Sequence, residues 1–299
     1  MLSVLLDVIV PIFLLIGAGY LVGKRLDLDR RALARSVLYI FAPALALDSL
    51  TKTTLSTAEL GQIVAFVLLA TLVLGVLVLS GARLKQVNAA RTNAFLLSTL
   101  LMNSGNYGIS ASLFAFGPSG MERAVMFFTV TQILMYTLGV YLASRGQATG
   151  WRPLLNILRL PVFYAVVLAL VARGFGWTLP SFLDKAAALA GAAAVPVLLV
   201  SLGVELSKVR GVREWPGVTV ASLVRLVVTI PVGLVTGAVL GLQGVTLAVC
   251  LLQFAMPTAV TPVALAMEFG TDPEFVTSVI FVTTLASVLT LTALLAFVR

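Results

Sequence analysis

Apolar residues fall along this chain in runs of roughly twenty, separated by short breaks rich in Gly, Pro, Lys, Arg or Asp, and no period-two alternation of strands interrupts them. A bilayer core of about 30 Å takes roughly twenty apolar residues per helix, so each run is long enough to cross one. The breaks divide the chain into about ten spans, at 3–23, 32–50, 58–80, 93–116, 121–143, 154–173, 182–205, 217–240, 246–269 and 274–298. The pattern predicts an all-α polytopic membrane protein. Connections are short; even the central one, Ser144 to Pro153, leaves no room for a soluble domain.

Composition agrees. Charged residues make up 11% of the 299 and hydrophobic ones 60%, against roughly 25% and 45 to 50% in ordinary globular proteins. The chain has no His and a single Cys, Cys250, which excludes His/Cys metal sites, His-based triads and internal disulfides. No metal and no cofactor is expected. The first apolar run lacks a basic leader, contains Asp7 and is followed by Lys24 and Arg25, so it is expected to stay rather than be cleaved.

The net charge of +8 is read as topology rather than as a nucleic-acid face, because the basic residues sit in short loops beside the apolar runs. With the N-terminus outside, one set of loops holds Lys24, Arg25, Arg30, Arg31, Arg35, Arg83, Lys85, Arg91, Arg145, Arg152, Arg159, Lys208, Arg210 and Arg213. The opposite side holds only Lys52, Arg123, Arg173, Lys185 and Arg299. The bias predicts a cell (inner) membrane protein with both termini outside the cytoplasm.

Ten spans with a basic centre invite a test for an internal repeat, and five plus five would force the halves into opposite orientations. A shift of 153 residues lays Phe116-Gly117 on Phe269-Gly270 and Phe128, Thr131, Thr137 and Leu138 on identical residues; Pro43 and Pro196 also correspond, as do Pro11 and Pro161 more loosely. Residues 1–143 are therefore read as one five-helix repeat, 144–153 as a cytoplasmic connection and 154–299 as the second, inverted repeat.

The fourth and ninth spans are interrupted at corresponding points. Asn103-Ser104-Gly105-Asn106-Tyr107-Gly108 places poor helix formers in mid-membrane, and Pro257 and Pro262 bracket Thr258, Ala259, Val260 and Thr261. Unwound backbone at that depth is tolerated only against protein or a wet cavity, so the two breaks are expected to face each other. Each leaves a half-helix N-terminus in the membrane, an arrangement suited to an anion. The competing reading of such residues is a simple helix kink. Gln132 and Gln253 are read first as interhelical hydrogen bonds, with ligation as the alternative. Arg225, deep in the eighth span, is read first as paired with an acid and second as meeting substrate. Asp48, Glu205 and Glu268 lie near span ends, where solvated and functional roles are both open.

Together these residues resemble the auxin efflux carrier family, which includes plant PIN-type carriers and bacterial permeases. Pro257-Thr258-Ala259-Val260-Thr261-Pro262, continuing to Ala266 and Glu268-Phe269, looks like that family's second crossover, and Asn103-Ser104-Gly105 with Gly108-Ile109 like its first. Pro11 with Gly19-Tyr20, Phe41-Ala42-Pro43 and Ser201-Leu202-Gly203 match its other spans. The chain departs from the family in having Ser110 after the Gly-Ile pair, Met102 before the Asn, and no long hydrophilic central loop.

The resemblance implies two inverted five-helix repeats with broken, crossed helices 4 and 9, similar to bile acid/sodium symporters and sodium/proton antiporters. Spans 1, 2, 6 and 7 would form a scaffold and homodimer surface, and spans 3–5 and 8–10 a transport domain moving as an elevator. Asn103 would meet a substrate carboxylate; malate and malonate are associated with bacterial members. The expected function is export or exchange of a small organic anion, with Asn103, Ser104, Gly105, Asn106, Gln253 and Pro257 through Pro262 forming the site. A Na⁺-coupled symporter is the alternative, H⁺ coupling is open, and a cation/proton antiporter is disfavoured because spans 4 and 5 hold no Asp or Glu before Gly117. An enzyme is not expected, because no nucleophile–base pair is evident.

Overall fold

A computed structural model describes residues 1–26, 28–144, 158, 160–209 and 211–298. The expected connection 145–153 and Arg145, Arg152, Arg159, Arg210 and Arg299 of the charge count lie outside the described residues.

Among the described residues the chain is helical throughout and has no named strand. Seven helices are long and apolar enough to cross a membrane: α1 Leu2–Arg25, α2 Ala32–Thr51, α3 Thr57–Leu84, α5 Ser104–Ala143, α7 Ser181–Leu206, α8 Trp215–Val239 and α11 Pro273–Val298. Four shorter ones complete the order: α4 Ala89–Leu100, α6 Pro161–Gly174, α9 Gly244–Phe254 and α10 Thr261–Phe269. Starts follow ordinary capping chemistry. Ser56 and Glu59 form a reciprocal capping box on α3, Asn88 caps α4, and Pro161 and Pro262 stand in the first turns of α6 and α10.

The sequence placed a boundary between spans at 116–121, and the structure breaks the helix there. The direction changes because Gly117 adopts φ 64°, ψ −159° ahead of Pro118. Only glycine reaches that conformation without strain, and Pro118 cannot donate to the preceding turn. α5 is thus two limbs meeting at a corner, with no loop between them.

Two buried clusters hold the helices together, and both run across the whole molecule: residues of α1 and α7 such as Ile12 and Leu202 join the larger one, and Ile109, Phe128 and Val249 join the smaller. α1 and α7 cross closely at Gly19, Gly23 and Gly203. A Cβ on Gly203 would overlap the Ile16 carbonyl oxygen and lie 2.7 Å from the Tyr20 nitrogen, and one on Gly19 would overlap the Val200 carbonyl. α2 packs on α6 and α7 through Leu45, Ala46, Val162, Val166, Ala194 and Leu198. α3, α4, α5, α8, α9 and α11 meet around Phe66, Phe127, Phe254 and Phe275, in the cluster that α1 and α7 also enter.

Polar contacts sort the connections onto two faces. On one, Arg91 bonds Glu214 at 2.5 Å and Asp272 at 2.8 Å while its guanidinium lies 3.6 Å above the Phe275 ring, and Thr271 donates to the Ala143 carbonyl. On the other, Arg123 bonds Glu59 at 2.9 Å and Thr246 at 2.8 Å, Glu122 accepts from Thr53, and Arg173 donates to the Leu55 carbonyl.

Candidate functional site

The two interruptions meet. Leu101 turns away from α4 in an extended conformation (φ −102°, ψ 94°), and Met102 pairs with Thr258 in an isolated antiparallel bridge. Asn103 N donates to Pro257 O at 2.8 Å, and Ala259 N donates to Leu101 O at 2.9 Å. Thr258 holds the crossing on two further sides: its Oγ1 donates to Ser98 O at 2.6 Å and its N–H to Thr283 Oγ1 at 3.2 Å. Backbone that has left a helix at this depth is satisfied by backbone that has left another.

The first interruption is shorter than the sequence reading, and sits earlier. Only Leu101–Asn103 is unwound; Ser104–Ile109 is already helical, wound as a π turn that Gly108 N closes onto Asn103 O at 3.0 Å. Ser104, Gly105, Asn106, Tyr107 and Gly108 therefore form the first turns of a half-helix, where wide winding accommodates their poor α propensity. The second interruption runs from Ala255 to Val260, and Thr261 and Pro262 open α10.

Glycine matters here for proximity. A Cβ on Gly105 would stand 2.6 Å from Phe128 Cε2, and one on Gly108 would overlap Gln253 Oε1 and lie 2.8 Å from Gln253 Cδ. Gln253, wholly buried at the end of α9, donates through Nε2 to Ser112 Oγ at 3.2 Å, while its Oε1 has no protein partner. Asn103 is 4% exposed, and its Nδ2 likewise lacks a partner. A buried amide left so is costly unless something else satisfies it.

Of the expected site residues, the bridge gathers Asn103, Pro257, Thr258 and Ala259, and Gln253 closes against Gly108. Ser104 bonds Thr131 at 2.6 Å. Asn106, Val260 and Thr261 are half-buried at the margin. A cavity of about 790 Å³ opens beside them, lined by Val260, Val263 and Met267, by Thr277 and Ser278 of α11, and by Glu205, Lys208 and Arg213 beyond α7. It lies on the face of the 207–213 loop and reaches the crossing at Val260. Among the described residues no group of His, Cys, Asp or Glu could hold a metal ion.

Sequence reasoning missed Ser98, Ser112, Thr131 and Thr283. Their signal was a small hydroxyl on a buried helix face, which many residues here share.

Arg225 was expected to find an acid, and it does not. Wholly buried on a π turn of α8, it donates through Nη1 to Thr99 O at 2.6 Å, its guanidinium carbon stands 5.3 Å from the Phe254 ring centroid, and Nε and Nη2 have no protein partner. A carbonyl at a helix C-terminus takes the acid's place. Asp48 pairs instead with Lys52, which also reaches Asp184 at 3.1 Å; Glu205 lines the cavity and Glu268 is exposed.

A family model described as membrane transport protein matches the chain in two segments, residues 4–153 and 150–295. An uncharacterized transporter of Methanothermobacter thermautotrophicus is 26% identical over 277 residues, covering 90% of both chains. Another, from Methanocaldococcus jannaschii, is 25% identical over 278 residues, covering 89% of this chain and 90% of its own.

Proposed function

The chain belongs to the auxin efflux carrier family of membrane transport proteins, and on that premise we propose that it exports or exchanges a small organic anion by alternating access. The observation that carries this reading is the crossing. Two half-helices, α5 and α10, begin there, and the first N–H groups of each lack intrahelical acceptors. Each such end carries about half a positive charge. No Asp or Glu stands in residues 101–109 or 255–262 to oppose it, and the free Nδ2 of Asn103 adds a directed donor. A carboxylate placed between them would meet the positive ends of both half-helices and the Asn103 amide.

Ten membrane crossings in two inverted five-helix repeats fit the sorting of polar contacts onto two faces. The corner at Gly117 makes two crossings of α5, while α4 with the first limb of α5, and α9 with α10, make one broken crossing each. α1, α2, α6 and α7 would be the scaffold and the homodimer surface. The rest would move as one body, stapled by Arg91 on one face and Arg123 on the other. The cavity between α7 and α10–α11 supplies access from the face of the 207–213 loop, read from the charge bias as cytoplasmic. Motion of the body along the scaffold would carry the crossing to the opposite face.

Thermal-shift titration of purified protein with carboxylates, and with their neutral amides and methyl esters, tests the reading. Running it with and without Na⁺ and at two pH values reads out coupling. The carboxylate should bind about ten-fold more tightly if the donors supply roughly 1.4 kcal/mol. Equal affinity for all three, or preference for a cationic analogue, defeats the anion carrier.

A further inference from the structure

Arg225 has no part in the reading so far, yet it heads the fully buried side chains of the described residues by size. Its position is specific. Thr99, whose carbonyl it bonds, is the penultimate residue of α4, and Phe254, whose ring it faces, is the last of α9. The guanidinium thus bonds a carbonyl at the end of α4 and faces the side chain of the last residue of α9. Among the described residues no carboxylate forms an ion pair with it.

Four helix ends converge on the crossing, and their charges can be counted. The C-termini of α4 and α9 contribute about −0.5 each and the N-termini of α5 and α10 about +0.5 each. Left alone, the four cancel. The unit charge of Arg225 offsets the two negative ends, leaving a surplus of about one positive charge at the N-terminal ends.

We infer that Arg225 is the residue that makes the crossing selective for an anion, and that it does so without touching the ligand, by neutralising the C-terminal ends of α4 and α9. The inference rests on the anion-carrier reading and deepens it: the substrate is one that presents a single carboxylate to the crossing. The one hydrogen bond Arg225 makes goes to Thr99 O at the C-terminal end of α4, so its assigned role is positioning and charge-setting rather than ligand contact. The unoccupied Nε and Nη2 fit this role, because a protein carboxylate bonded there would cancel the surplus.

The test compares acetate with acetamide, and malonate with malonamide, as thermal-shift ligands of the purified full chain in its wild-type, R225Q and R225K forms. The wild type is expected to favour the charged partner by about ten-fold. R225Q should bring that ratio to within about two-fold of unity, and R225K, which keeps the charge and loses the fork, should hold most of it. A merely structural role would lower thermal stability in both variants and leave the ratio unchanged. If R225Q does not purify folded, R225M serves as a second variant that removes the charge and keeps an unbranched side chain in the site. An undiminished carboxylate preference in R225Q or R225M overturns the inference and leaves the anion carrier standing. Loss of the preference in R225K also overturns it, because the charge would then not be what matters. A wild-type protein indifferent to charge overturns the carrier reading itself, and the role of Arg225 with it.

Discussion

Gly108→Ala tests whether the contact between α5 and α9 is as close as it stands here. The new methyl would overlap Gln253 Oε1 and lie 2.8 Å from Cδ and 3.0 Å from Nε2. α5 cannot back away, because the Asn103–Pro257 and Ala259–Leu101 bonds fix its start. Gln253 must therefore turn, breaking its bond to Ser112. Overpacking of this kind costs about 1–3 kcal/mol, and the broken hydrogen bond about 1 kcal/mol more. The variant should unfold at a lower temperature than wild type at a fixed scan rate, and bind the preferred carboxylate more weakly. Gln253→Ala removes the obstacle, so the double variant G108A/Q253A should recover most of what G108A loses, with a coupling of about 1–3 kcal/mol. If the two losses add to within about 0.5 kcal/mol, the side chains do not meet, and the packing of Gln253 against the π turn is wrong.

Other expectations follow from single groups. Asn103→Ala should weaken carboxylate binding by about 1–3 kcal/mol with a smaller effect on thermal stability; normal transport at limiting substrate removes Asn103 from the site. Thr258→Val keeps the shape of the side chain but leaves Ser98 O without its 2.6 Å partner, and should lower stability by about 1–3 kcal/mol. An unchanged melting curve would show that the carbonyl is satisfied some other way. A C-terminal reporter active only in the cytoplasm should stay silent, and a bright one would overturn the assigned orientation.

Proline and glycine were the most readable parts of the sequence, because their effect on backbone is local. Pro257, Pro262 and the Asn103–Gly108 stretch marked both interruptions without any knowledge of their surroundings. The register of the first break was read two residues late for a physical reason: the residues that discourage an α-helix are accommodated by a π turn, so the unwound segment is Leu101–Asn103, and the side chains of Leu101 and Met102 give no sign of it. The Gly117 corner was visible as a boundary, but the absence of any loop between its two limbs was not. Least legible was Arg225. Its partner is a backbone carbonyl 126 residues away, and every residue carries one. The long-range staple of Arg91, Glu214 and Asp272 was equally hidden, since charges at loops announce themselves but not their partners.

The bonds that close the crossing also say something about how such a chain must be made. α4 has 12 residues, about 18 Å of helix, too short to span the hydrocarbon by itself. The carbonyls of Ser98 and Thr99 at its end are met by Thr258 and Arg225, which follow 160 and 126 residues later. During synthesis, the first half of the protein enters the bilayer with that end of α4 unsealed. It has to be sheltered by water, lipid headgroups or the insertion machinery until α8 and the segment after α9 arrive. Assembly of the crossing is therefore the last event of folding rather than the first, and an N-terminal half produced alone is expected to be short-lived in the membrane for want of partners encoded in the other half.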